Sequence, residues 1–171
     1  PVLTYRDDSP AQGNRLVFQG SAGEGSSRFP VSITFRLEGD APDLWIDLDT
    51  EDRSRTVGRF SVLHPLVLDR PNGRILAAAY CNGIGVPTDD MSWRGRQWYT
   101  WGIDMPWVGV SDGDIGYMLL WELPVSCDNG SAILERAPVG GRDLLAPSAN
   151  HYPIKGTFAE PRSVRYSFCP S

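Results

Sequence analysis

Strict alternation of apolar and polar residues is the feature of this sequence that most restricts its fold. From Arg28 to Glu38, apolar residues occupy every second position and share one face of an extended chain. A period of two is typical of a half-buried β-strand, whereas an amphipathic helix repeats about every 3.6 residues. The run from Asp43 to Asp49 alternates again after a turn at 38–42, so the two runs predict an antiparallel hairpin.

Short runs of the same kind recur along the chain. They predict further strands at 15–19, 57–63, 74–80, 107–111, 115–123, 132–136 and 164–168. No comparable window carries a helical apolar stripe, and the 18 glycines and 14 prolines interrupt the chain often. We therefore predict an all-β fold, an antiparallel β-sandwich with little or no α-helix, in a single domain that spans residues 1–171.

Charge and hydropathy exclude two classes of partner. The net charge of −5 opposes binding to a phosphate backbone, so we predict no nucleic-acid partner. No apolar stretch approaches the roughly 18 residues of a spanning helix, so we predict no membrane partner. We expect an extracellular or periplasmic location, with the cytoplasm as the alternative, although no signal-peptide pattern is visible. Cys81, Cys127 and Cys169 leave open one disulfide with a free thiol, or three thiols.

No sequence pattern specifies catalysis. The chain lacks the G-x-S-x-G elbow of serine hydrolases and the phosphate-binding glycine motifs. Two histidines are too few to indicate a metal centre. Acidic residues are plentiful, but Asp112 and Asp114 flank a glycine in a predicted turn. In such turns the Asp side chain commonly accepts hydrogen bonds from the nearby backbone. We predict no catalytic residue, no metal and no cofactor in this chain.

Aromatic residues are concentrated between Asp89 and Trp121. This stretch holds seven of the chain's 18 aromatic side chains. Exposed rings suit carbohydrate, because the apolar face of a sugar stacks on an aromatic ring while nearby charged groups bind its hydroxyls. The alternative is that the rings fill the core, which we favour for Trp107, Tyr117 and Trp121.

We call the segment from Asp89 to Trp107 the Trp-rich segment, and we expect any sugar contact to lie there. Pro87 and Pro106 bracket it, which predicts a shaped loop. The candidate stacking rings are Trp93, Trp98 and Trp101, and the candidate hydroxyl-binding residues are Asp89, Asp90, Arg94, Arg96 and Asp104.

Three blocks of sequence carry a resemblance to a known domain family. They are Val57–Pro65, Met105–Met118 and Pro161–Phe168, in that order. Together they resemble the N-terminal galactose-mutarotase-like β-supersandwich domain that precedes the catalytic barrel in certain glycoside hydrolases. Relatives of endo-α-N-acetylgalactosaminidases carry this domain. The resemblance covers residues 28–168.

The resemblance implies an accessory role. The family's catalytic carboxylates lie on the barrel, so none is carried over to this chain. The domain would pack on the catalytic barrel of the same parent chain and contact glycan through the Trp-rich segment. The alternatives are a free-standing carbohydrate-binding module, and a small self-contained hydrolase or lyase using Asp or Glu. A docking domain should expose one apolar patch on its surface. A carbohydrate-binding module should expose a row of aromatic rings. An enzyme should have two carboxyl groups close together in a pocket.

Overall fold

The computed structural model describes residues 3–6, 14–38, 41–54, 60–62, 66–69, 72–79, 83–99, 103–122, 127–153 and 161–170. Within these ranges the chain forms 13 β-strands. They are β1 (Leu3–Arg6), β2 (Arg15–Ala22), β3 (Phe29–Leu37), β4 (Asp43–Asp49), β5 (Phe60–Val62), β6 (Arg74–Ala79), β7 (Ile84–Pro87), β8 (Gln97–Tyr99), β9 (Ile103–Ser111), β10 (Ile115–Glu122), β11 (Cys127–Val139), β12 (Arg142–Pro153) and β13 (Arg162–Pro170). Two short 3-10 turns, Gly25–Ser27 and Met91–Trp93, are the only helical segments among the described residues.

The strands form two sheets with antiparallel pairing throughout. One sheet has nine strands in the order β1-β2-β3-β4-β13-β10-β9-β6-β7, and the other has four in the order β5-β12-β11-β8. We call the face of the nine-stranded sheet that packs on the four-stranded sheet the inner face, and the opposite face the outer face. The arrangement confirms the predicted antiparallel β-sandwich.

The core lies between the sheets. Alternation places every second residue of β9 and β10 on the inner face, including Val108 and Leu119, which are fully buried. The other fully buried apolar residues of this cluster are Ile46, Ile75, Ala132, Leu134, Ala149, Val164 and Tyr166. Because the small sheet supplies Ala132, Leu134 and Ala149, its side of the core is built from β11 and β12.

Two tyrosines lie in this core with their ring centroids 5.7 Å apart. The Tyr117 hydroxyl donates a hydrogen bond of 2.6 Å to the carbonyl oxygen of Leu66. The Tyr166 hydroxyl is buried and has no hydrogen-bond partner among the described residues. Burial raises the pKa of Tyr166 to about 12. Burial, and then the nearby Tyr166, also raise the pKa of Tyr117 above its ordinary value.

The predicted turn between β9 and β10 is confirmed. The Asp112 carboxylate accepts hydrogen bonds of 2.9 Å from the backbone N–H groups of Asp114 and Ile115. Gly113 has a φ of +99°, a conformation that favours glycine. Asp112 therefore shapes the turn.

The longest strand that the sequence did not predict is β12. Its residues 144–150 are all buried, so the segment shows no alternation between a polar and an apolar face. Three shorter strands, β1, β7 and β8, were also not predicted.

Candidate binding surfaces

Residues 88–96, where the Trp-rich segment begins, lie against the four-stranded sheet. The backbone N–H of Leu145 donates to the carbonyl of Thr88 at 2.6 Å, and Gly95 donates to Leu134 at 2.8 Å. Leu134 in turn donates to the carbonyl of Arg96 at 3.0 Å. The backbone at 88–96 is therefore fixed to β11 and β12 by hydrogen bonds.

The prediction of an open loop between Pro87 and Pro106 is wrong. The backbone of Trp98 lies in β8 opposite Ala132, and β9 already begins at Ile103. Pro106 is tolerated in β9 because the ladder to β6 is irregular there, with Ala77 opposite Val108 but Ala79 opposite Ile103. A bulge of this kind accommodates a residue that has no N–H to donate.

Trp93 and Asp90 both have structural contacts. Trp93 is half-buried and packs against the core, and the guanidinium of Arg96 lies 5.9 Å from its ring centroid. The Asp90 carboxylate accepts hydrogen bonds from the backbone N–H and the hydroxyl of Ser92, at 3.1 and 2.6 Å. Asp90 thus caps the 3-10 turn that carries Trp93.

The other candidate sugar-binding residues are only partly described. Asp89 and Arg94 are exposed to solvent. Trp101 and the side chains of Trp98 and Asp104 lie outside the described residues. Trp93, Asp89 and Arg94 therefore belong to one short segment on the small sheet, and sugar binding there stays a prediction.

Truncating Trp93 tests whether the ring belongs to the core. We expect Trp93→Ala to lower the free energy of unfolding by about 2 kcal/mol, below the 3–5 kcal/mol of a fully buried Trp, because the ring is half-buried. The exposed Arg94→Ala variant is the control, with an expected change within about 0.5 kcal/mol. Urea denaturation measures both. Unchanged stability with a loss of oligosaccharide affinity would instead identify Trp93 as a binding ring.

The outer face carries a stack that the sequence did not reveal. The ring of Trp45 lies between the guanidinium groups of Arg36 and Arg165, at 5.2 and 5.1 Å from the ring centroid. The three residues come from three strands and meet only because Trp45 is opposite both arginines in the ladder. The Arg36 Nε donates to Asp47 at 2.7 Å, and this hydrogen bond raises the pKa of Arg36. The Ser163 hydroxyl also donates to Asp47. Both arginines therefore have an acidic partner within the sheet, Asp47 for Arg36 and Asp43 for Arg165.

A polar cleft of about 500 Å³ lies at the ends of β2, β3 and β4. Asp49 and Glu51 both line it. The Asp49 carboxylate is held by Arg53 at 2.6 Å and accepts a hydrogen bond from the backbone of Thr50 at 2.8 Å. Asp49 is therefore engaged in contacts within its own loop.

An apolar groove of about 600 Å³ lies on the inner face of β2, β3 and β4. We call its five apolar residues, Leu16, Phe18, Phe35, Leu37 and Leu44, the docking patch. Leu16 is 44% exposed and Leu37 is 54% exposed. The sequence predicted this face of β3 as buried, and that prediction is wrong at Leu37, because the smaller sheet does not cover this part of the larger one.

The remaining features concern the cysteines, metal binding and membrane-spanning helices. The thiol of Cys169 is free and exposed, whereas Cys81 and the side chain of Cys127 lie outside the described residues. In the part of the chain that the structure describes, no three His, Cys, Asp or Glu residues form a metal-binding group. No helix found there has the length and hydropathy to cross a membrane.

Comparison with known proteins supports the fold. No family model matches the chain, and no curated protein matches it. The solved structures of an α-N-acetylgalactosaminidase, NagBb from Bifidobacterium bifidum, are similar. Its complex with GalNAc has a TM-score of 0.73 at 17% identity, and its ligand-free form has 0.69 at 16%. Both matches cover 99% of this chain and 28% of the enzyme chain.

A second solved protein has a lower similarity. It is the Slr1438 protein from Synechocystis, with a TM-score of 0.57 and 10% identity, covering 99% of this chain and 66% of that one. At such identities the likeness concerns the fold alone. This chain spans about a quarter of the length of the bifidobacterial enzyme it matches.

Proposed function

We propose that this chain is a non-catalytic β-sandwich domain of a glycoside hydrolase, packing on a catalytic barrel in the same parent chain. The observation that carries the proposal is the match to the α-N-acetylgalactosaminidase. Nearly the whole of this chain, 99%, aligns with only 28% of that enzyme. One fold within a longer enzyme is the relation expected of an accessory domain.

The surroundings of the described carboxylates support a non-catalytic role. Asp47 is bound by Arg36 and Ser163, Asp49 is bound by Arg53, and Asp112 shapes a turn. A glycosidase needs one carboxyl kept protonated beside a second one across a cleft. Asp47, Asp49 and Asp112 are instead engaged in contacts within the sheet and its turns.

The Trp-rich segment is the proposed point of contact with glycan. Asp89 and Arg94 are exposed beside Trp93, so hydroxyl-binding groups and part of an aromatic ring lie close together in the sequence. This arrangement combines the apolar and polar contacts that sugars need.

Activity assays on two proteins test the proposal. One is the isolated chain, and the other is the full product of the gene that encodes it. With aryl glycosides, including an N-acetylgalactosaminide, we expect turnover by the full product and none by the isolated chain. Turnover by the isolated chain that disappears in Asp112→Asn or Glu122→Gln would contradict the proposal. A gene that encodes no catalytic domain beside this chain would also contradict it.

A further inference from the structure

We propose that the catalytic domain of the same parent chain docks on the docking patch, Leu16, Phe18, Phe35, Leu37 and Leu44. This inference rests on the proposed function and adds to it the surface that makes the contact. The patch follows from a mismatch in size between the two sheets.

The four-stranded sheet is too narrow to cover the nine-stranded one. At about 4.8 Å between neighbouring strands, nine strands span about 38 Å and four span about 14 Å. The fully or almost fully buried residues of the inner face come from the six strands between β4 and β7 in the sheet order. On β2 and β3, the inner-face residues Leu16, Phe18, Phe35 and Leu37 are half-buried or exposed. This end of the sheet therefore lies beyond the cover of its partner.

The patch continues the hydrophobic core. Phe35 is opposite Ile46 in the ladder, and Ile46 is fully buried. Phe35 and Leu44 also pack against the core from its edge. The rings of Phe18 and Phe35 meet edge to face, with centroids 5.5 Å apart and an interplanar angle of 78°. Side chains held in this way lose little conformational freedom when a partner binds.

The chemistry of the patch argues against a sugar as its occupant. Sugars need polar groups that bind their hydroxyls. The groove is lined by five apolar side chains together with Asn14 and Arg15. An apolar protein surface fits this lining better.

The size of the patch favours a tethered partner over a second copy of the chain. A stable interface between separate molecules uses about 20–30 residues on each side. Five apolar side chains fall well short of that, but a domain in the same polypeptide is present at a high effective concentration. The matched enzyme contains such additional chain, since the aligned part is 28% of it.

The outer face of the same strands does not compete for this partner. Arg36 pairs with Asp47 at 2.7 Å, and Arg165 lies 3.6 Å from Asp43. The charges there have partners within the sheet, whereas the inner face presents exposed leucines. Docking is therefore assigned to the inner face.

Thiol labelling of Leu37→Cys tests the assignment. The variant is made in a Cys169→Ser background, in the isolated chain and in the full gene product, and maleimide modification is followed site by site by mass spectrometry. Because the docked domain would cover the patch, we expect labelling at position 37 to be at least ten times slower in the full product. The control is Leu76→Cys, since Leu76 is 41% exposed on the outer face. It should label at the same rate in both proteins.

Two results would overturn the inference. Equal labelling of position 37 in both proteins would show that nothing in the full product covers the patch. Labelling of the isolated chain that slows as its concentration rises, together with dimer formation in light scattering, would assign the patch to a second copy. If the full product still hydrolyses glycosides, either result would leave the proposed function intact. The absence of a catalytic domain would remove both proposals.

Discussion

Raising the pH from 10 to 12 is expected to lower the free energy of unfolding by about 4 kcal/mol, which is a large part of the whole stability of many domains. In the unfolded chain, Tyr117 and Tyr166 ionise near pH 10. In the folded chain, burial raises the pKa of Tyr166 to about 12 and also raises that of Tyr117. Between these values the unfolded state has lost protons that the folded state keeps. Each tyrosine then costs up to about 1.4 kcal/mol of stability per pH unit, and most of the loss falls above pH 10.

The matched control for this effect is the Tyr117→Phe/Tyr166→Phe double variant, which should lose most of the alkaline slope. At pH 7, Tyr166→Phe should be neutral or stabilising, since the buried hydroxyl has no hydrogen-bond partner among the described residues. Tyr117→Phe should cost about 1 kcal/mol through loss of the bond to Leu66. Urea denaturation at pH 7, 10, 11 and 12 measures these values. Parallel profiles for the parent chain and the double variant would contradict the assignment.

Replacing Leu119 with alanine should have the second-largest effect. Leu119 is 0% exposed and lies in the middle of the core, between Val108 and Tyr166 on the neighbouring strands. We expect a loss of about 3–4 kcal/mol, because the substitution removes buried methyl groups and leaves a cavity that a close-packed sheet fills poorly.

The control for that substitution is Leu76→Ala. Leu76 is also in a strand of the large sheet, but it is 41% exposed on the outer face. Its truncation should cost less than about 1 kcal/mol, because less apolar area leaves water in the native state. Chemical denaturation of the two variants gives the comparison. Similar losses at both positions would mean that burial between the sheets does not dominate stability.

The sequence predicted the strands whose residues alternate between apolar and polar. β3 and β4 alternate clearly, and their pairing follows from the short turn between them. β12 is different, because residues 144–150 are buried on both sides and leave no polar face to detect. Alternation reports the environment of a strand only when its two faces differ.

The candidate surfaces were harder to predict for two physical reasons. Alternation in β3 indicates that Phe35 and Leu37 share a face, but the width of the opposing sheet decides which of them is covered. The stack of Arg36, Trp45 and Arg165 depends on the register of three strands, and two of these strands are more than 100 residues apart, since the Ser163–Asp47 contact spans 116 positions. Local sequence does not encode such long-range register.

The position of β13 sets the order in which this protein can assemble during synthesis. β13 lies between β4 and β10, and in the described sheet it is the element that joins the first four strands to the remaining strands. A growing polypeptide therefore carries two separate half-sheets with open edges until the residues up to about 170 have been made. Chains that stop before Arg162 would expose the edges of β4 and β10 together, which are ready templates for pairing with other chains. Premature termination of synthesis before Arg162 should therefore yield aggregates. A shortened chain of this kind is not expected to fold.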